Sequence, residues 1–133
     1  MIERDELIFR IAFASYRNIN IETASNFVAR GVSVRDFFEL PAQRLAAITG
    51  IRSDYFSDEK RSAALELAKR EADFIADSRV KPVFYTDRDY PTRMAECGDA
   101  PAMLYVAGNN EAARASCSVA IVGTRHCTPY GAD

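Results

Sequence analysis

Ser118-Val-Ala-Ile-Val-Gly-Thr-Arg-His-Cys-Thr-Pro-Tyr-Gly-Ala-Asp133 is the stretch whose reading decides the fold. Ser118 to Val122 is a short apolar, β-branched run, the pattern of a strand buried in a parallel sheet. Gly123 ends the run, and Thr128-Pro129-Tyr130 supplies the cap and first turn of a helix. A strand that feeds a glycine turn and opens a helix is where open α/β sheets bind anions, because unpaired N–H groups and the helix dipole point into that crevice. Arg125 places a permanent, forked cation at the tip of the turn. The helix has neither body nor following strand in this sequence, so the reading expects the opening of a larger fold.

The composition narrows the function classes. The chain has 133 residues, 48% of them hydrophobic, and a net charge of −2. That is enough for one modest core, or a small domain and part of another. Lysine and arginine number 11 against 12 aspartates and glutamates in residues 1–76, and 6 against 7 in residues 77–133. Neither part has the basic excess that would by itself indicate nucleic acid. No apolar run approaches the ~20 residues that span a bilayer, and Met1-Ile-Glu-Arg-Asp-Glu is too charged for a signal peptide, so no membrane association is expected. Cys97, Cys117 and Cys127 are odd in number and form no C-x-x-C, which points to a reducing, cytoplasmic setting.

Working back from the decisive stretch, residues 79–133 read as strands alternating with short helices, the texture of an α/β fold. Pro82–Tyr85 and Met103–Ala107 are strand candidates, with Ser118–Val122 as a third. Between the first two lie polar Thr86–Asp89, the Tyr90-Pro91 turn, a short helix over Thr92–Cys97 and the Gly98–Pro101 loop. Gly108-Asn109-Asn110 caps a brief helix. Residues 1–78 read instead as a helical domain, of sterile-alpha-motif-like or helix-hairpin type. Leu7, Ile8, Ile11, Ala12 and Ser15 share a face of a first helix capped by Asp5. Asn20 caps a second, which runs to Arg30 and ends on Gly31. Ser33 and Asp36 form a capping box for a third helix carrying Phe37, Phe38 and Leu40. Pro41 opens a fourth helix with Leu45 and Ile48, closed by Gly50. A long helix runs from about Ser57 to Ser78, with Ala64, Leu65, Leu67, Ala68, Ala72 and Ile75 as its apolar positions.

The candidate site residues are Gly123, Thr124, Arg125, Thr128 and Gly131. The segment lacks the G-x-G-x-x-G dinucleotide fingerprint and the G-x-x-x-x-G-K-[ST] phosphate loop. A strand–glycine–helix opening is more often a tight connection than a ligand site, but a guanidinium beside free N–H groups and two threonine hydroxyls suits phosphate oxygens. No metal is expected, because His126, Cys127 and Cys117 make too sparse a ligand set. No cofactor is expected either, and no cysteine has a base that would make it a nucleophile. Cys117 reads as a small apolar filler. Asp87 and Asp89 could do acid–base work, yet capping and turn formation are the simpler roles. Ile48-Thr-Gly-Ile51 has the form of a helix–hairpin–helix loop, but Arg52 stands where a second glycine belongs, which favours packing over a DNA clamp. Tyr85, Tyr90, Tyr105 and Tyr130 could stack on bases, although a packed ring with a polar tip at the surface is the plainer reading.

Several blocks, in order and at compatible spacing, carry a resemblance. Pro82-Val-Phe-Tyr-Thr-Asp-Arg-Asp-Tyr-Pro91, Asp99-Ala-Pro101, Leu104-Tyr-Val-Ala-Gly108, Val119-Ala-Ile-Val-Gly-Thr-Arg125 and Thr128-Pro-Tyr-Gly131 closely resemble the DNA-processing protein family DprA, also called Smf. The resemblance implies an extended Rossmann-like core, here incomplete, that binds single-stranded DNA. It implies a recombination mediator rather than an enzyme, one that helps load the RecA recombinase in natural transformation and is a homodimer when complete. The family's glycine-serine-arginine turn falls on Gly123, Thr124 and Arg125, with the arginine as a DNA-phosphate contact and Thr124 keeping the serine's hydroxyl. Two other classes are open. One is a Rossmann-type nucleotide phosphoribohydrolase, whose P-G-G-x-G-T-x-x-E element is not in this sequence. The other is a protein-interaction module working through the helical domain.

Overall fold

The computed structural model describes residues 2–17 and 19–132; Asp133, the last residue of the decisive stretch, lies outside them. Five helices come first: α1 (Arg4–Ser15), α2 (Ile21–Ala29), α3 (Val34–Glu39), α4 (Ala42–Thr49) and α5 (Asp58–Ala76). A 3-10 turn, Ser53–Phe56, precedes α5. Strand β1 (Lys81–Phe84), helix α6 (Thr92–Ala95), strand β2 (Met103–Val106), a 3-10 turn at Asn110–Arg114 and the short helix α7 (Pro129–Ala132) follow.

The punctuation read from sequence sets most of these boundaries. Asn20 accepts from the Thr23 N–H at 2.9 Å, the bond of an N-cap. The Ser33–Asp36 box closes in both directions, at 3.1 Å each way. Gly31 and Gly50 take the left-handed conformation (φ 77° and 73°) that releases the chain from α2 and α4. Two expectations shift. Asp5 does not cap α1: Glu3 holds that position without a side-chain bond, and Asp5 lies in the first turn, where a carboxylate favours the helix dipole. Pro41 is the residue before α4 rather than its first, because its backbone stays extended (ψ 141°).

The core is aromatic and centres on Phe37, which is fully buried. Rings of Phe13, Tyr16, Phe27 and Phe56 meet it edge-on at centroid distances of 5.3, 4.9, 5.3 and 5.5 Å, the arrangement the ring quadrupole favours. The Tyr16 hydroxyl donates to the Tyr55 carbonyl, and the Tyr55 hydroxyl donates to the Arg17 carbonyl at 2.7 Å. Arg61 of α5 is buried and donates to the Phe37 and Leu40 carbonyls at 3.0 and 2.7 Å. It thereby satisfies carbonyls that the end of α3 leaves open, while Asp58 balances its charge at 2.9 Å.

Strands β1 and β2 pair antiparallel, Lys81 opposite Val106 and Phe84 opposite Met103. The period-2 alternation of a strand divides their side chains between two clusters. Phe84 and Met103 join the aromatic core of the helices, whereas Val83 packs with Ile21, Tyr90 and Ala100. The architecture is therefore mixed α/β, with a helical bundle and a small sheet.

The expected strand at Ser118–Val122 does not form. Val119, Ile121 and Val122 are 91, 96 and 91% exposed, and no strand is present between Val106 and Ala132. A strand exists through the partner that satisfies its N–H and C=O groups, and no described residue fills that role here. Cys117 is exposed as well, so it is not the apolar filler that its type suggested. Among the described residues, no helix is long and apolar enough to cross a membrane.

Candidate nucleic-acid interface

The turn after β1 is built around one carboxylate. Asp87 accepts from the Phe84 N–H through Oδ2 at 2.8 Å, while its own N–H donates to the Phe84 carbonyl at 2.8 Å. Its second oxygen, Oδ1, takes a charged hydrogen bond from Arg10 of α1 at 3.0 Å. Arg10 also pairs with Glu6 at 3.1 Å and lies over the Phe84 ring, 5.0 Å from its centroid. Asp89 pairs with Lys81, which holds its carboxyl below the usual carboxylate range. The Tyr90 hydroxyl donates to the Pro101 carbonyl at 2.7 Å, tying the turn to the loop before β2. Asp87 fills the turn-forming role expected of it, whereas the Asp89 carboxylate pairs with Lys81 instead of capping the turn. Tyr85 and Tyr90 are packed, and burial raises the pKa of both phenols.

A cleft of about 390 Å³ opens beside this turn, with Arg10, Lys81, Arg88, Asp87 and Asp89 among its lining residues. Arg10 and Lys81 are already neutralised by Glu6, Asp87 and Asp89. The cleft therefore has little net attraction for an anion.

The sequence-predicted site lies farther along and stands wholly in solvent. Gly123, Thr124, Arg125, Thr128 and Gly131 are all exposed. Thr128 and Gly131 are brought together as a helix cap: the Gly131 N–H donates to the Thr128 carbonyl at 2.9 Å and approaches its hydroxyl at 3.3 Å. Pro129 opens α7, where its missing N–H costs nothing. No hydrogen bond links Gly123, Thr124 or Arg125 to that cap among the described residues. A side chain at Gly123 would meet nothing within 4 Å. Among the described residues nothing pairs with the Arg125 guanidinium, which is exposed on an open segment. Tyr130 is exposed, and Tyr105 is half-exposed, unlike Tyr90, which is buried.

Residues 81–133 match the family model described as DNA recombination-mediator protein A. Over that segment the chain is similar to the DprA/Smf family. The match takes in both strands, the Asp87 turn and the exposed Gly123–Gly131 segment, and residues 2–80 lie outside it. Neither curated proteins nor solved structures yield a match to the chain. Among the described residues, no cluster of histidine, cysteine, aspartate and glutamate could hold a metal ion.

Three residues that organise this DprA/Smf-like segment have no signature in the sequence. Arg10 reaches Asp87 across 77 positions. Asn110 donates to the Asp89 carbonyl at 2.9 Å. Arg93 donates to the Ser118 hydroxyl and the Ser116 carbonyl. Each contact joins positions at least 21 apart in the chain, beyond the reach of any local spacing rule.

Proposed function

We propose that this chain acts in DNA recombination by binding single-stranded DNA through Arg125, without catalysing a reaction itself. The observation that carries the reading is the match to a DNA recombination-mediator family over a segment whose arginine turn is solvent-exposed and unpaired among the described residues. A free guanidinium flanked by Thr124 and Thr128 offers forked donors and hydroxyls to a phosphodiester. Such contacts bind any sequence, and each releases about one counterion. Exposed Tyr130 supplies a ring on which a base can stack. This binding serves the loading of a RecA-type recombinase during natural transformation, with the mediator working as a homodimer.

Fluorescence anisotropy with a labelled poly-dT oligonucleotide at two salt concentrations tests the assignment. Arg125→Ala should weaken binding uniformly across sequences and reduce the salt slope by about one counterion. Arg125→Lys should recover part of the affinity, since a point charge replaces a fork. An altered sequence preference, or unchanged affinity in a folded Arg125→Ala protein, would refute the assignment.

A further inference from the structure

We propose that the cleft between Arg93 and Arg114 binds a terminal phosphate, the dianionic phosphomonoester of a nucleotide or of a DNA end. Helix α6 supplies Thr92 and Arg93 to it. The 3-10 turn at Asn110–Arg114 and the residues just after it supply Ala113, Arg114, Ala115 and Ser116. Together they line a cavity of about 230 Å³ that has two arginines, two hydroxyl side chains and no carboxylate in its wall.

The cations of this cleft are not neutralised, unlike those beside the Asp87 turn, where Glu6, Asp87 and Asp89 hold Arg10 and Lys81. Among the described residues, neither Arg93 nor Arg114 makes an ion pair. Arg93 donates through one terminal nitrogen to the Ser118 hydroxyl and through the other to the Ser116 carbonyl. Those partners are neutral, so they orient the guanidinium without cancelling its charge. Its Nε and the second hydrogen on each terminal nitrogen are taken by no described residue. Arg114 is exposed and has no hydrogen-bond partner among the described residues. The Asp89 carboxyl is held low chiefly by Lys81 and less by Arg114, but it pairs with Lys81 and does not line the cleft.

Charge and size select the ligand. Two guanidinium groups match a phosphomonoester, which carries about −1.5 to −2 near neutral pH, better than a backbone phosphodiester with its single charge. Their forked donors suit phosphate oxygens, and the Thr92 and Ser116 hydroxyls have a hydrogen to add. The cavity is smaller than the roughly 300–1,000 Å³ of pockets that enclose a drug-sized ligand. It therefore takes the phosphate and leaves the attached nucleoside outside. Arg125 is not among the lining residues, so this site is separate from the backbone contact proposed above.

Titration of the full chain with inorganic phosphate, deoxythymidine 5′-monophosphate and dimethyl phosphate, followed through the arginine Nε–H signals in NMR spectra, tests the proposal. The first two should shift the Arg93 and Arg114 signals saturably, and dimethyl phosphate, a diester, should bind about tenfold more weakly. Arg114→Gln removes no described hydrogen bond or ion pair, so the backbone amide spectrum should keep its fold pattern while phosphate affinity drops about tenfold. Arg114→Lys should recover part of it. Arg125→Ala should leave phosphate binding intact, which tells failure of the single-strand contact from failure of this site. A 5′-phosphorylated oligo-dT that binds more tightly than its 5′-hydroxyl form, by a margin that Arg114→Gln removes, would place a DNA end in the cleft. Equal affinity of the two oligonucleotides beside saturable monophosphate binding would place a free nucleotide there. Shifts that do not saturate, dimethyl phosphate binding as tightly as phosphate, or unchanged phosphate affinity in a folded Arg114→Gln protein would overturn the proposal.

Discussion

Strand β1 and the run Ser118–Val122 have nearly the same chemistry and opposite fates. Val83 and Phe84 are 1 and 4% exposed, while Val119 and Ile121 stand more than nine-tenths in solvent. What separates them is supply of partners. β1 has β2 for its inner hydrogen bonds, Asp87 for its outer ones, and Ile8, Ile11 and Phe13 of α1 in the cluster that covers Phe84. Ser118–Val122 has a tether at its base, through Arg93, and no sheet. Apolar β-branched sequence is a capacity to form a strand; a neighbouring backbone turns it into one.

The contrast is most sharply broken or confirmed at Phe37 and Ile121. Phe37→Ala should cost roughly 3–5 kcal/mol in urea unfolding, because six rings lose their common neighbour. Ile121→Ala in the monomer should stay within ~0.5 kcal/mol, as exposed substitutions do. A large cost at Ile121 would mean that the run is packed after all.

Next in size is Arg61. Replacing it with methionine keeps the volume but strips the charged donors from the Phe37 and Leu40 carbonyls. A loss of roughly 1.5–3 kcal/mol is expected, measured by the same unfolding curves.

The join between the helices and the DprA/Smf-like segment rests in part on Arg10 and Asp87. A double-mutant cycle with Arg10→Ala and Asp87→Ala should give a coupling energy of about 1 kcal/mol, at the low end for contacting residues because both groups are partly exposed. Additive effects would show that the helices and the hairpin are joined by packing alone.

The helical core should also show an alkaline limit. Burial, with Tyr16 nearby, pushes the Tyr55 phenol up to about 12 from its ordinary 10.0. The folded state holds the protonated form, so this contribution is intact below pH 10 and is lost as pH climbs through 12. Tyr55→Phe should flatten that part of the stability profile, at the cost of one hydrogen bond to the Arg17 carbonyl. The smallest effect belongs to Arg125→Ala, which should leave thermal unfolding unchanged while altering DNA binding.

Much of the helical region was readable in advance because its signals are local. Asn20, Ser33 with Asp36, Gly31 and Gly50 each act within four residues of their own position. The Asp87 turn was readable for the same reason: a carboxylate in a turn bonds the backbone beside it. The candidate site was readable as chemistry, in the residue types of Gly123–Gly131. Its exposure was not, because the strand reading assumed neighbours that the described residues do not provide.

By itself, then, the sequence determined where helices start and stop, where the hairpin strands lie, and that a forked cation follows a glycine turn, since these depend on backbone preferences and nearby side chains. The tertiary structure alone decided which apolar runs are buried. It put Phe37 at the meeting point of six rings, drew Arg61 inside to serve the carbonyls of α3, sent Arg10 to Asp87, and left Ser118–Val122 beside no sheet. Burial and long-range pairing depend on what else arrives at the same place, and that is a property of the assembled chain, not of any segment of it.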